Sequence, residues 1–428
     1  MSQESSKHPR RIALVDCNNF YVSCERVFNP AWNSRPVGVL SNNDGCIVAR
    51  SNELKEVGIP MGAPYFKFKQ QLKAMNAVVV SSNYALYGDM SARVMHTLGQ
   101  LVPDIEVYSI DEAWLDLTDF STDALDAYSR EIVIRTHQCT GIPVSIGIGA
   151  TKTLAKIASR LCKKHKTPGQ VFNIDTKQSL EAILASVAVE EIWGIGKRWA
   201  QQLNKHGIYT ALDLHNADSN VMRERYSVVM QRIIMELRGV PCIGSEDVEV
   251  KKQIVASRSF GQRVTNKNDL LEAVTLHATR AGEKLRYQHS ACGALQVSIR
   301  TGKHNPHDPY YAQSRIIRFP VATADSRKLI AAACEGVEKI FKPGLRYAKA
   351  GVMLLDIASC EQVQSELFDS ADSNASLQLM RIVDQINHHY GKHTLFFGSE
   401  GTHKSWAMKR NLITQAFTTN WSEIPVVR

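Results

Sequence analysis

The chain has 428 residues, of which 44% are hydrophobic and 22% are charged, a composition that is ordinary for a folded protein. This length is too great for one hydrophobic core, so several domains are expected. A net charge of +9 favours a polyanionic partner, either nucleic acid or an anionic membrane. No apolar run approaches the ~18 residues that span a bilayer, and residues 1–11 are polar, which excludes a membrane span and a signal peptide and predicts a cytoplasmic protein. The nine cysteines contain no C-x-x-C pair, which predicts buried, reduced thiols.

Apolar periodicity predicts alternating strands and helices in the first part of the chain. A strand over residues 11–17 ends on Asp16 and its neighbour Cys17, residues 42–45 form a turn, and residues 49–57 form a helix that Gly58 ends. The elements that follow are a helix over residues 84–98, an acidic hairpin over 104–117, a helix over 123–139, a strand over 144–149 and a helix from residue 151. This alternation is typical of a ferredoxin-like arrangement.

Three carboxylates lie at the ends of predicted strands. Asp111 and Glu112 are adjacent, between two short apolar segments that predict strands meeting at a bend, where both side chains can reach one site. Carboxylates this close repel unless a cation lies between them, and Mg²⁺ is the usual cation for hard oxygen ligands. A solvated acidic turn is the alternative for the pair alone. Asp16, at the end of another strand, favours a two-metal site for phosphoryl transfer.

Six short motifs occur in order along the chain. They are Asp16-Cys17-Asn18-Asn19-Phe20-Tyr21, Ser41–Cys46, Ser82-Asn83-Tyr84, Tyr108–Ala113, Thr151–Lys156 and Trp193–Gly196. Together they resemble the Y-family translesion DNA polymerases and are most similar to the UmuC branch of that family. The resemblance covers nearly the whole chain after the first ten or so residues. It implies a template-directed DNA polymerase that carries out error-prone translesion synthesis in the SOS response by two-metal nucleotidyl transfer.

The resemblance also implies an α+β multidomain fold. Its parts are a ferredoxin-like palm (residues 10–21 and 83–170), small fingers (22–82), a helical helix-hairpin-helix thumb (171–243), a β-α-β-β-α-β little finger (253–357) and a C-terminal tail (358–428). The last part of the tail, residues 394–421, is similar to the tail of the UmuC branch. The sequence itself gives that segment no role.

Site residues are likewise implied by the resemblance. Asp16, Asp111 and Glu112 would be catalytic and, with the backbone carbonyl of Cys17, would hold two Mg²⁺ ions. The nucleotide-binding residues would be Phe20, Tyr21, Lys55 and Lys156. Tyr21 would lie under the sugar as a steric gate against a 2′-hydroxyl, and both lysines would contact the triphosphate. Core packing is the alternative for the aromatic pair, and a solvated helix face is the alternative for Lys55.

The second half of the chain carries the features of a DNA-binding protein. Gly194, Gly196 and Lys197 follow Trp193 in a Gly-Ile-Gly turn that lets backbone amides approach a phosphate, although a plain tight turn between helices has the same pattern. Residues 253–357 predict strand, helix, strand, strand, helix, strand. This segment contains 16 Lys and Arg against 8 Asp and Glu, nearly the whole net charge, which favours a face that follows phosphates.

The tail contains the pentapeptide Gln364-Ser365-Glu366-Leu367-Phe368, which resembles a sliding-clamp-binding peptide through Gln364, Leu367 and Phe368. The implied partners are primer-template DNA, a dNTP, the sliding clamp, a UmuD′-like dimer and a RecA filament, with no membrane. A non-catalytic DNA-binding subunit would be expected to have a broken acid set, and a nucleotidyl cyclase has no use for a hairpin thumb or a clamp peptide. A polymerase is therefore favoured over both.

Overall fold

The computed structural model describes residues 10–175, 179–244, 251–303, 308–362 and 372–425. These residues form two compact units. The first contains the described residues of 10–41, 45–244 and 411–425, and the second contains residues 42–44 and the described part of 251–410. Among the described helices, none combines the length and the hydropathy needed to cross a membrane.

The first unit is built on two sheets and a group of short helices. Its elements up to the last strand are β1 (Ile12–Cys17), α1 (Phe20–Phe28), β2 (Val37–Leu40), β3 (Ile47–Arg50), α2 (Asn52–Glu56), α3 (Tyr65–Ala74), β4 (Val78–Ser81), α4 (Tyr84–Leu101), β5 (Ile105–Val107), β6 (Glu112–Asp116), α5 (Thr122–Thr140), β7 (Val144–Gly149), α6 (Lys152–Lys164) and β8 (Val171–Asn173). The helices that follow are α7 (Leu180–Ala185), α8 (Lys197–Asn204), α9 (Ala211–Asn216), α10 (Ser219–Arg225) and α11 (Val228–Leu237).

β1 lies at the centre of the five-stranded sheet, whose order is β5-β6-β1-β7-β8. It pairs antiparallel with both β6 and β7, and its residues Ile12–Val15 are buried on both faces, as its continuous apolar run predicts. α6 packs closely on β7 because Gly147 has no side chain: a Cβ there would lie 2.0 Å from the backbone nitrogen of Ser159. The sheet therefore holds the end of β1 and the start of α6 in fixed places.

The smaller sheet has the order β3-β2-β4 and corrects one prediction. The helix predicted over residues 49–57 was wrong at its start, because Ala49 and Arg50 pair with β2 as part of β3. Ser51 ends the strand and caps α2, since its Oγ accepts a hydrogen bond from the Leu54 nitrogen at 3.3 Å. The predicted helices near residues 84–98 and 123–139 are present as α4 and α5, and the strand over 144–149 is β7.

The second unit contains β9 (Ile254–Val264), α12 (Lys267–Tyr287), β10 (Ser290–Thr301), β11 (Ala312–Thr323), α13 (Ser326–Ile340), β12 (Tyr347–Ser359) and α14 (Asn374–His389). The predicted order of strands and helices over residues 253–357 is confirmed. The sheet is antiparallel, with the order β11-β10-β12-β9, and α12 and α13 pack on one face of it. The turn predicted at residues 42–45 is also present, with Asn43 and Asp44 in the left-handed region at φ 61° and 50°.

Candidate active site

The three predicted acids meet at the carboxyl end of β1. Asp16 and Glu112 are direct cross-strand partners on β1 and β6, and Asp111 precedes Glu112 in the bend between β5 and β6. The bend is fixed by the Cys17 nitrogen, which donates to the Asp111 carbonyl at 2.8 Å, and by the Ser109 hydroxyl, which donates to Asp111 Oδ1 at 2.6 Å. The strands and their register therefore bring together the carboxylates that the sequence placed in separate segments.

α6 presents a row of lysines to this acidic end of the sheet. Lys156 Nζ lies 2.8 and 2.9 Å from the two Glu112 oxygens, and Lys163, two turns further along, forms an ion pair with Asp16. Lys152, one turn before Lys156, binds Glu106 at 2.8 Å. Lys152, Lys156 and Lys163 thus lie close to one face of α6 and each pairs with an acid. The pairing of Lys163 with Asp16 was missed, although its position two turns after Lys156 is the signal that could have found it.

The electrostatics of Asp16 reflect this crowding. The pKa of Asp16 is raised to about 6, mainly by burial; Lys163 opposes this increase, and the neighbouring Glu112 and Asp111 charges add to it. Burial, followed by the nearby Asp16 charge, also raises the pKa of the Cys17 thiol, so this side chain stays neutral. Cys17 can therefore offer a ligand only through its carbonyl oxygen.

The donor set fits a hard divalent cation by its chemistry, because the three side chains and the Cys17 carbonyl supply only oxygen. Across the described residues, no group of three His, Cys, Asp or Glu side chains is already arranged to hold a metal ion. Two of the acids instead use their oxygens on Lys156 and Lys163. The excess negative charge at the end of β1 is thus balanced here by ammonium groups, which a metal ion would have to replace.

Tyr21 and Phe20 begin α1 beside the acids and differ in their surroundings. Phe20 is 4% exposed and packs in the hydrophobic core, as the core-packing alternative describes. Tyr21 is half-buried, with its ring stacked on Tyr87 at a centroid distance of 4.4 Å and edge-on to Tyr84 at 6.3 Å. The Tyr21 ring is therefore the one of the pair that remains partly open and is held in a fixed plane.

Lys55 lies on α2 near the same acids. Its Nζ donates to Asn19 Oδ1 at 2.5 Å, and Asn19 Nδ2 donates to Asn52 Oδ1 at 3.0 Å. Desolvation lowers the pKa of Lys55, and Arg50 and Lys163 lower it further, while Asp16 raises it. These interactions place its ammonium group on the acidic side of the unit rather than on a remote helix face.

An aromatic cluster around Lys156 was not predicted from the sequence. Its Nζ lies 4.8 Å from the ring centre of Tyr108, 5.7 Å from that of Trp193 and 5.9 Å from that of Trp114. Cation–π contacts of this kind attract an ammonium group to the faces of the rings. The spacing of Tyr108 and Trp114 around the two acids is the local signal, but Trp193 is remote in sequence.

The predicted DNA-binding turn lies just before α8. Gly194 has a left-handed φ of 88°, and a Cβ there would lie 3.1 Å from Ile233 Cδ1. Gly196 and Lys197 are exposed, and a Cβ on Gly196 would meet nothing within 4 Å. The backbone at the start of α8 is therefore open to solvent. The predicted clamp-binding residues Gln364, Leu367 and Phe368 lie outside the described residues.

Comparison with protein families gives three consecutive matches. Residues 15–160 match the impB/mucB/samB family, residues 251–367 match its C-terminal domain, and residues 378–427 match a Domain of unknown function (DUF4113). The chain is 44% identical to Protein UmuC of Salmonella typhimurium over 96% of this chain and 99% of that protein. It is 41% identical to Protein MucB of Escherichia coli over 97% of this chain and 99% of MucB.

A solved structure, the Y-family DNA polymerase chimera Dbh-Dpo4(243-245)-Dbh, matches with a TM-score of 0.63 and 20% identity, over 82% of this chain and 99% of the chimera. That likeness shows the fold, and the identities to UmuC and MucB show the family. The substrates of this class of enzyme are DNA and nucleotides. The chain therefore belongs to the impB/mucB/samB family and is a UmuC-like Y-family translesion DNA polymerase.

Proposed function

We propose that nucleotidyl transfer takes place at the carboxyl end of β1, with Asp16, Asp111 and Glu112 as its catalytic carboxylates. Two Mg²⁺ ions held by these groups and by the Cys17 carbonyl would lower the pKa of the primer 3′-hydroxyl and neutralise the triphosphate. The observation that carries the proposal is the register that sets Asp16 opposite Glu112, with Asp111 next to them. The raised pKa of Asp16 supports it, because a carboxylate in this environment gains from a nearby cation.

The lysines bind the triphosphate in this proposal. Lys156 and Lys55 both lie beside the acids and carry ammonium groups that pair with oxygens in the structure. When a nucleotide is bound, its phosphate oxygens replace the Glu112 and Asn19 oxygens as their partners. The ion pair between Lys163 and Asp16 breaks in the same way, and Lys163 then offsets part of the negative charge of the triphosphate.

Tyr21 selects the sugar. Its ring lies next to the acids at the start of α1 and is fixed by the stack on Tyr87. A 2′-hydroxyl on the incoming nucleotide would clash with a ring held in this way, and the displaced nucleotide would react slowly. Phe20 supports the site from the core rather than through contact with the nucleotide.

DNA binding is assigned to two surfaces. The exposed turn at Gly194, Gly196 and Lys197 would receive backbone phosphates of the duplex, and residues 253–357 would follow the backbone with their excess of Lys and Arg. In the same proposal, the palm, fingers, thumb, little finger and tail have the residue boundaries stated in the sequence analysis. A cytoplasmic location and error-prone synthesis within the SOS response are part of the same proposal, on the grounds of family membership.

Partners other than DNA and nucleotides are also assigned through the family. They are the sliding clamp, a UmuD′-like dimer and a RecA filament.

For the clamp, changing Leu367 and Phe368 together to Ala is expected to weaken binding to isolated clamp and to reduce synthesis on clamp-loaded DNA. Synthesis on short primers should continue, because the pentapeptide lies outside the catalytic sheet. An unchanged clamp affinity in a direct titration would remove this peptide from the proposal.

The catalytic assignment is tested by primer extension with Asp111→Asn. We expect template-directed incorporation with Mg²⁺ to be lost, because one ligand and one negative charge are lost together. Primer-template affinity should stay within several-fold of wild type, since the phosphate-binding surfaces lie elsewhere. Extension near the wild-type rate by a folded Asp111→Asn protein would show that the carboxylates have another role.

A further inference from the structure

The segment of residues 411–417, here called the C-terminal strap, is part of the first unit and contacts the end of β4, an outer strand of its smaller sheet. Leu412 pairs with the last residue of β4: its nitrogen donates to Ser81 Oγ at 3.0 Å, and the Ser81 nitrogen donates to the Leu412 carbonyl at 2.9 Å. Ser81 is fully buried. The strap thus forms hydrogen bonds with polar groups at the buried end of β4.

Thr414 connects the strap to a buried carboxylate. Its Oγ1 accepts a hydrogen bond from Asn83 Nδ2 at 3.1 Å and donates one to Glu25 Oε1 at 3.2 Å. The same Glu25 oxygen accepts a hydrogen bond from the Tyr87 hydroxyl at 2.7 Å, and Glu25 is 0% exposed. A single carboxylate therefore joins α1, α4 and the strap.

The contacts of the strap fall on the face of α1 that carries the proposed sugar gate. Tyr21, Glu25 and Phe28 are spaced at i, i+4 and i+7, so they share one face of the helix. Phe417 stacks on Phe28 with centroids 4.8 Å apart and an interplanar angle of 3°, while Tyr87 stacks on Tyr21 at 4.4 Å. The strap contacts Phe28 and Glu25 on this face. Tyr87 in turn contacts both Glu25 and the Tyr21 ring.

The energetic consequence follows from burial. A buried carboxylate that loses a hydrogen-bond donor bears the cost of desolvation without compensation. Without the Thr414 hydroxyl, the Tyr87 hydroxyl is the remaining donor to Glu25 among the described residues. Glu25 then gains from moving toward water, and Tyr87 moves with it. The plane against which Tyr21 stacks is no longer fixed.

We propose that the C-terminal strap positions the sugar gate: Thr414 holds Glu25, Glu25 holds Tyr87, and Tyr87 fixes the Tyr21 ring under the sugar of the incoming nucleotide. Thr414 is thus a positioning residue for sugar discrimination, in a region matched only to a Domain of unknown function among the three family matches. This inference rests on the proposed role of Tyr21 as the gate.

The test uses the full-length chain and single-nucleotide incorporation with a dNTP and the matching rNTP. Thr414→Val, which keeps the shape and removes the hydroxyl, is expected to lower the ratio of kcat/KM for dNTP over rNTP by roughly 3- to 10-fold, the equivalent of one buried hydrogen bond. Thr414→Ser keeps the donor and should retain the wild-type ratio. Ile413→Ala, at an exposed neighbouring position of the strap, is the matched control and should also retain it.

A purely structural role predicts a different result, in which both substrates lose activity equally and the ratio is unchanged. An unchanged ratio in a folded Thr414→Val protein would overturn the proposal. If Thr414→Val does not fold, Phe417→Leu is the second variant, because it weakens the stack on Phe28 with little loss of volume. The proposal then requires the same fall in the dNTP/rNTP ratio in Phe417→Leu. A double variant with Tyr87→Phe should lose no more than the larger single loss, because both changes act through Glu25.

Tyr21→Ala separates this proposal from the one it rests on. If Tyr21→Ala lowers the ratio and Thr414→Val leaves it unchanged, the gate stands and the strap has no part in it. If Tyr21→Ala leaves the ratio unchanged in a folded protein, the gate assignment fails and the strap proposal fails with it. A fall in the ratio in both variants, with Thr414→Ser at the wild-type value, is the result that supports both.

Discussion

Glu25 is a buried carboxylate that makes the stability of the first unit depend on pH. Burial raises its pKa from an ordinary 4.5 to about 7, although its hydrogen bonds from Tyr87 and Thr414 oppose this increase. The folded state therefore holds a proton that the unfolded state has already lost between these two values. The stability that this proton contributes is complete below pH 4.5 and is lost as the pH rises through about 7.

Glu25→Gln removes that titration while keeping a hydrogen-bond acceptor. We expect the stability of the Gln variant relative to wild type to rise between pH 5 and pH 8 by up to about 3 kcal/mol, since each unit of pKa shift corresponds to about 1.4 kcal/mol. Urea denaturation at a series of pH values measures this difference. Asp16 titrates in both proteins and cancels. Glu56→Gln, at an exposed position on α2, should show no such trend.

The sequence predicted some residues of the candidate site but not the contacts that hold them in place. Asp16, Asp111 and Glu112 were predicted to lie together because Asp16 and Glu112 are at the ends of apolar strands and Asp111 is in the bend next to Glu112, and strand pairing brings strand ends together. The contacts of Glu25 with Tyr87 and Thr414 span 62 and 389 positions, and no local pattern reports such pairs. Side-chain hydrogen bonds between remote segments are therefore the part of the site that the sequence did not reveal.

The close contact between β7 and α6 holds the lysines of α6 over the acids. Gly147 allows it, since a Cβ there would lie 2.0 Å from the Ser159 nitrogen and 2.5 Å from the Ala155 carbonyl oxygen. The helix is also fixed at its start, where Glu236 Oε2 accepts a hydrogen bond from the Thr153 nitrogen at 3.0 Å. α6 thus cannot move from the sheet without disrupting this backbone packing.

Gly147→Ala is expected to destabilise the first unit by at least about 1–3 kcal/mol, because the added methyl group meets backbone atoms that have no room to move. Incorporation activity should fall with it, since Lys156 and Lys163 move with α6. Gly88→Ala is the matched control: Gly88 is exposed on α4 with nothing within 4 Å of an added Cβ, so Ala should stabilise by about 0.5–1 kcal/mol. Thermal unfolding of both variants is the measurement, and equal melting temperatures would contradict the close packing.

The wrong start of the helix predicted at residue 49 shows how tertiary pairing decides a boundary. Ala49 and Arg50 favour a helix locally, yet they pair with Val39 and Gly38 in the sheet. Ser51, a residue that favours helix N-caps, marks the true boundary at the position after the strand. The longer elements were predicted correctly because their periodicity extends over many residues.

Positive charge is concentrated in one segment of the chain. Residues 253–357 have a net charge of +8, compared with +9 for the chain. In the second unit, Arg300 on β10 lies directly opposite Lys349 on β12, on the other side of the sheet from the buried Ile299 and Ala350. Like charges in this position repel, and a phosphate between them relieves the repulsion.

Changing Arg300 and Lys349 together to Ala should weaken binding to primer-template DNA and reduce the slope of log affinity against log salt by about 2, or about 0.9 for each phosphate that is no longer neutralised. Stability should not fall, since a repulsive pair is removed. Lys339→Ala, on the helical face where Lys339 pairs with Glu335, should leave the slope unchanged. An unchanged slope in the double variant would remove this sheet face from the DNA interface.

In the proposed mechanism, the carboxylates at the end of β1 hold the metal ions that catalyse nucleotidyl transfer. The most direct test is the single-turnover rate of templated dNTP incorporation as a function of Mg²⁺ concentration in wild type, Asp16→Asn and Asp89→Asn. Asp89 is an acid on α4 that pairs with Arg93. We predict saturation with Mg²⁺ in wild type and Asp89→Asn, and a rate at least about 1,000-fold lower in Asp16→Asn at every Mg²⁺ concentration, with DNA affinity retained. A folded Asp16→Asn protein with the rate and Mg²⁺ dependence of wild type would show that Asp16 does not hold a catalytic metal ion.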